Sequence, residues 1–213
     1  MKRGGKDPFR FQVIGANSRG WGVETGYGNP SIAVTLGAYL GIGLFHSFRI
    51  DVTPGRHTQL PPETVEIDPL LNRVTKEKGY KPFRILVTPI EAHLADKICA
   101  MRESHHGIES TRFHDPADFI EIIRTQDFLA EKLLRILTHE VKRRGVDCPQ
   151  QISSPGKSWE NGFSRKASSY GILPENLHKL EEALAFAGNC LSQVLQRKLV
   201  DGKRYHSTGC WEV

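Results

Sequence analysis

Apolar and polar residues alternate in three early stretches: Phe9 and Phe11, then Ile32, Val34 and Leu36, then Phe48, Ile50 and Val52 with Arg49 and Asp51 between them. A period of two sends successive side chains to opposite faces of a strand, so the amino-terminal part is predicted to be sheet. Between the first two stretches lie Gly20, Gly22, Gly26, Gly28 and Pro30. A phosphate cradle needs a strand before its glycines and a helix directly after them. Here strand-like alternation resumes after Pro30, which predicts a hairpin connection instead. From Pro54 to Pro82 the chain carries Pro61, Pro62 and Pro69 and no sustained period. An irregular excursion is predicted there, before a strand at Phe83, Ile85 and Val87.

The period then lengthens to that of a helix. Thr88, Pro89, Ile90 and Glu91 have the order of a capping box, in which the threonine oxygen accepts the N3 amide and Glu91 reaches back to the cap amide. The helix it opens is predicted to run to about Ser104, with Leu94, Ile98 and Met101 toward the core and His93, Lys97 and Ala100 on a neighbouring face. Asp115, Pro116 and Asp118 open a second helix in the same way, with Phe119, Ile122 and Ile123 as its buried stripe. A third carries Leu129, Leu133, Ile136, Leu137 and Val141 and stops at Gly145. Asp147 to Pro174, rich in Ser, Gly and Pro, predicts a long loop ordered by Trp159 and Phe163. A last helix carries Leu177, Leu180, Leu184, Ala187, Leu191 and Leu199 and ends at Gly202. The predicted class is α/β (α+β): a β-rich part over residues 1–88 built on a twisted mixed sheet, then a helical part over 89–213.

Composition agrees with a folded domain, at 38% hydrophobic and 25% charged over 213 residues. Nowhere do ~18 apolar residues run together, and Met1 to Gly5 lead into polar sequence, which predicts a cytoplasmic protein with no membrane segment. Cys99, Cys148, Cys190 and Cys210 form no Cys-x-x-Cys pair, so free thiols are expected. The net charge is +5, and part of the excess sits at Lys132, Arg135, Lys142, Arg143 and Arg144. That excess permits an acidic partner such as nucleic acid, and equally describes a solvated helix face with cations near the negative end of its dipole.

Lys97 sits within an apolar helical stretch. A lysine drawn out of water needs a partner, either a carboxylate such as Asp115 or Asp118 or an anion such as a triphosphate, and both readings stay open. Other chemistry finds less support. Cys99, His105, His106 and His114 match no recurrent zinc spacing, and no serine has a placed base. Lys203, Arg204, Tyr205, His206 and Trp211 alternate cations and aromatics, which suits stacking on nucleotides or a docked terminal strand.

The order Leu94, Lys97, Ala100 followed by Arg112, Asp115 and Asp118 resembles the AbiEii/AbiGii nucleotidyltransferase toxin family. There a Leu-x-x-Lys-x-x-Ala helix precedes an Arg-x-Lys-Asp-x-x-Asp-Leu segment; His114 and Phe119 stand here in place of the lysine and leucine. Ile50, Asp51 and Val52 ending a strand, a wandering segment, then a strand leading through Pro89 and Glu91 into the lysine helix follow the same layout, from roughly Asp7 to Gly145. The resemblance implies a partial nucleotidyltransferase fold of the polymerase-β superfamily and the role of toxin in a type IV toxin–antitoxin pair. It also implies Mg²⁺ and a nucleoside triphosphate (NTP) cosubstrate, an RNA such as tRNA or a protein as acceptor, and an antitoxin or its operon's DNA-binding partner. Carried over, Lys97 and Arg112 would contact phosphate, Asp51 would be a strand-borne, metal-holding catalytic carboxylate, and Asp115 and Asp118 would complete the catalytic set by positioning the cations.

The family's first motif, a Gly-Ser or Gly-Gly pair followed by Asp-x-Asp, has no counterpart. Glu66, Ile67 and Asp68 follow Gly55, but Pro61 and Pro62 between them forbid the helix that motif requires. The expectation is a fragment, a misassigned start or a degraded copy, inactive alone. A reading of another class, a non-catalytic module binding RNA or protein through the basic helix ending at Arg144, expects a continuous basic surface.

Overall fold

A computed structural model of the chain describes residues 8–19, 31–53, 60–68, 82–105, 107–171 and 173–213. Among the described residues the fold is mixed α/β, with amino-terminal antiparallel sheets followed by five helices. The chain divides into two compact units, Met1–His57 and Thr58–Val213.

In the first unit, β1 (Phe9–Arg19), β2 (Ser31–Leu40) and β3 (Gly43–Val52) form an antiparallel sheet in that order. The glycine-rich segment of residues 20–30 lies outside the described residues, yet Arg19 pairs with Ser31, so its two ends meet as a hairpin requires. Gly41, at φ +63° in the left-handed region, turns β2 into β3. Phe9 packs against Phe45 at 5.2 Å between centroids, and Phe11 against Phe48 at 6.3 Å.

The second unit opens with β4 (Glu63–Ile67) paired antiparallel to β5 (Phe83–Val87). β4 lies in the segment expected to be irregular. Its alternation of Val65 and Ile67 with Thr64 and Glu66 spans only five residues behind two prolines, too short a run to outweigh those breakers. Residues 54–59 and 69–81 of that segment lie outside the described residues.

Helices α1 (Ile90–Arg102), α2 (Asp115–Thr125) and α3 (Ala130–Arg144) follow the predicted stripes, except that Leu129 precedes α3 and is exposed. The capping box does not form. Pro89, not Thr88, occupies the cap position, no side chain caps the helix, and Glu91 turns inward. α2 likewise starts without a side-chain cap, after His114. The segment expected to be a loop contains α4 (Ser158–Ala167), and the last helix, α5 (Leu180–Leu195), is shorter than its apolar stripe suggested. Leu94, Ile98, Phe119, Leu133, Trp159 and Leu191 meet in one buried core shared by all five helices.

Between α1 and α2 lies a hairpin of β6 (Ser104–His105) and β7 (Ile108–Glu109). The carboxy-terminal tail is docked: β9 (Lys203–Arg204) pairs with both β8 (Phe128–Leu129) and β10 (Trp211–Glu212). The Trp211 ring meets Phe128 edge-on at 5.3 Å and its indole N–H donates to the Cys190 carbonyl at 3.0 Å. The His206 backbone N–H and ring, with Lys203, hold the Asp127 carboxyl down at about 2. The tail's cations and aromatics are thereby engaged within the fold. Among the described residues no helix is long and apolar enough to cross a membrane. The four cysteines are free thiols, and burial pushes Cys99 up to about 12.

Candidate functional site

Helix spacing sets the site. Asp115 and Asp118 are three residues apart at the start of α2 and share a face. Thr111 to Asp115 turn tightly, with the Phe113 N–H donating to the Thr111 carbonyl at 2.8 Å and the Asp115 N–H to the Arg112 carbonyl at 3.0 Å. That turn folds Arg112 back onto the helix it precedes. Arg112 Nε donates to Asp115 Oδ2 at 2.9 Å and Nη2 to Oδ1 at 3.3 Å, a bidentate grip on a fully buried carboxylate.

From α1, Lys97 reaches the same pair. Its Nζ lies 2.5 Å from Asp118 Oδ2 and 3.5 Å from Asp115 Oδ1, with the side chain 15% exposed. The site therefore gathers Lys97, Arg112, Asp115 and Asp118 on one partly buried polar face between α1 and α2. Of the ammonium's three donors, the two carboxylates engage two, and the guanidinium's five are engaged only in part. Among the described residues, no further ion pair takes the remaining donors of these two cations.

The network extends further than the sequence suggested. Arg112 Nη2 is 3.7 Å from Asp96, which also binds Arg144. Arg144 meets Glu103 at 2.8 Å and Glu140 at 3.0 Å, and Arg143 meets Glu140 at 2.6 Å. Burial works against the Arg144 charge, but the bond to Glu140 and the fields of Asp96 and Glu103 outweigh it and raise its affinity for the proton. Burial likewise disfavours the Glu140 carboxylate, yet Arg143 and Arg144 hold it below its ordinary value.

This network removes cations from the basic helix. Arg143 and Arg144 face carboxylates, and Lys132 binds Glu63 and Glu91, the latter at 3.1 Å. Arg135 and Lys142 are left as its exposed cations without an ion pair among the described residues. A continuous basic surface does not form there. Glu91, only 4% exposed, is the structural residue that sequence reasoning placed wrongly: its Oε1 accepts the Leu129 N–H at 3.0 Å. An acid in an apolar first turn was the available sign of such a role.

Asp51 belongs to the other unit. It is exposed on β3, where Arg49 of the same strand donates to its Oδ1 from Nη2 at 2.7 Å and from Nε at 2.9 Å.

His114, Asp115 and Asp118 offer ligand atoms within 4.8 Å of one another. His114 Nε2 lies 3.3 Å from Asp115 Oδ1. Magnesium requires a near-octahedral shell of hard oxygen donors. Here both carboxylates are already neutralised by Lys97 and Arg112, and the third ligand is an imidazole, so these residues do not fit magnesium as they stand.

A family model described as "Nucleotidyl transferase AbiEii toxin, Type IV TA system" matches residues 3–187. No curated relative matches the chain.

Proposed function

Because the chain belongs to the AbiEii nucleotidyltransferase toxin family of type IV toxin–antitoxin systems, we propose that the face between α1 and α2 is the triphosphate-gripping half of a nucleotide-transfer site. The antitoxin partner follows from the family. The observation that carries the proposal is the convergence of Lys97 and Arg112, two cations with donors to spare, on the buried Asp115 and its neighbour Asp118.

The reaction joins an acceptor hydroxyl to the α-phosphorus of an NTP and breaks the bond to the leaving pyrophosphate. Negative charge grows on that leaving group, and fixed cations in a partly desolvated cleft stabilise it without reorganising. Lys97 and Arg112 are assigned to that task, Asp115 and Asp118 to holding them in place. The acceptor class is RNA, with tRNA as the first candidate.

The metal-holding half is a different matter. Asp51, the carboxylate assigned to it by resemblance, is one carboxylate beside its own arginine, and Asp115 and Asp118 are spent on cations. We therefore assign no step to magnesium on these residues. The chain alone is expected to transfer no nucleotide.

Titration calorimetry with each NTP, and labelling of total tRNA with radiolabelled NTPs and Mg²⁺, test both halves. NTP binding weakened on the order of ten- to a hundredfold by Lys97→Ala or Arg112→Ala is the expected result, given what a charge-assisted hydrogen bond contributes, together with no labelling of tRNA. Absence of NTP binding, or binding indifferent to both changes, overturns the phosphate assignment. Robust labelling that disappears in Lys97→Ala overturns the proposed deficit.

A further inference from the structure

Helix α4 was hidden in the sequence, and the family motif residues do not include it. Two of its contacts bracket the turn that presents Arg112. Just before the turn, at the end of β7, Glu109 lies over the start of α4, where Ser158 Oγ donates to its Oε2 at 3.1 Å. A Cβ at Gly156 would fall 2.0 Å from that carboxylate, so a larger residue there would push the Glu109 side chain aside. Just after Arg112, the Phe113 ring lies over Gly162, where a Cβ would come within 2.6 Å of three ring carbons. The same ring meets Trp159 edge-on at 5.3 Å and 81°.

Trp159 is fully buried, and its indole N–H has no acceptor among the described residues, so packing sets the orientation of the ring. Ser110, also buried, accepts the Arg112 N–H at 3.4 Å between the two anchors. Beyond the end of α4, burial and the nearby Asp118 and Asp115 carboxylates hold the Tyr170 hydroxyl above its usual value.

We infer that α4 is a positioning clamp for the site: Gly156 and Ser158 seat Glu109, Trp159 and Gly162 seat Phe113, and Arg112 between these anchors is held in the geometry that engages Asp115. Without the clamp, the turn keeps its own short hydrogen bonds, the Ser110 acceptor and the grip of Arg112 on Asp115, but loses the anchors on either side of Arg112. The assignment rests on reading Arg112 as a phosphate ligand, whereas the clamp itself is a statement about the turn.

The test uses the full chain, with hydrogen exchange of residues 107–118 as one readout and binding of inorganic tripolyphosphate, which needs no base preference, as the other. Gly162→Ala, a change that helix propensity alone would favour, is expected to speed exchange in that segment and to weaken tripolyphosphate binding on the order of tenfold or more. Cooperative melting should persist. Phe113→Ala should do the same, and Gly162→Ala added to it should do no further harm, because the clash has gone. Ser158→Ala, which carries no steric load, is the second variant should Gly162→Ala fail to fold; it should speed exchange at residues 107–112.

Unchanged exchange in these variants, or effects of Gly162→Ala and Phe113→Ala that simply add, overturns the clamp. If wild type binds no tripolyphosphate, the phosphate reading of Arg112 falls, and the exchange result still decides the clamp.

Discussion

Glu91 is held on the first turn of α1 by two partners from distant sequence, the Leu129 N–H and the Lys132 ammonium. Glu63 also serves Lys132, so removing Glu91 leaves the amide, more than the lysine, without a partner. Glu91→Ala is expected to cost about 2–3 kcal/mol in a urea titration, between a lost buried hydrogen bond and a broken buried ion pair. Glu91→Gln, which keeps an acceptor, should cost less; equal losses would mean that packing, not the acceptor, is at stake. Glu140 carries a pH dependence. Burial disfavours its charge, but Arg143 and Arg144 hold its folded carboxyl below the ordinary 4.5. Its contribution is therefore present above that value and lost as pH falls through the lower folded one. The thermal midpoint should drop across that acidic range, and Glu140→Gln should flatten the dependence. An unaltered acid profile in Glu140→Gln would show that other carboxylates govern it.

At the scale of elements, α3 shows why some of the fold was legible. Leu133, Ile136 and Leu137 are buried on one side, and Gly145 ends the helix at φ +65°. A side chain there meets the left-handed penalty, so Gly145→Ala should cost about 1 kcal/mol in thermal melts; no loss would mean that the turn relaxes. Sustained stripes of this kind also placed α1, α2 and α5. α4 escaped because its stripe is only Trp159, Phe163 and Ala167 within serine- and glycine-rich surroundings, and its stability comes from the core it enters. β4 escaped because a five-residue strand is made by its partner β5 more than by its own sequence. The convergence of Lys97, Arg112, Asp115 and Asp118 could be read from i,i+3 spacing and a lysine on an apolar helix. The partners of Arg144 could not: Glu103 and Asp96 lie 41 and 48 residues away, and no local pattern reports a contact at that separation.

At the scale of the whole molecule, apolar burial is unevenly shared. The helices of the second unit bury Leu94, Phe119, Trp159 and Leu191 completely, whereas in the three-stranded sheet Phe11 is 50% and Phe45 67% exposed. Burial is the main favourable term in folding, at about 25 cal/mol per Å². A sheet that leaves aromatics in water therefore opens at lower free energy than the helical core. Among the described strands, β1 pairs only with β2. Among the described residues no strand pairs with its outer edge along Phe11 and Val13, which makes that edge a template for pairing with a second chain. Amides from Phe9 to Leu40 are expected to exchange well before those around Ile98, Ile136 and Leu184 in a native-state hydrogen-exchange experiment. Raising the protein concentration should protect β1 first, because intermolecular pairing would cover that edge before anything else. Equal protection across both units, in a protein that stays monomeric at high concentration, would mean that the sheet is stabilised by contacts its exposed aromatics do not reveal, and the edge-pairing prediction would fail with it.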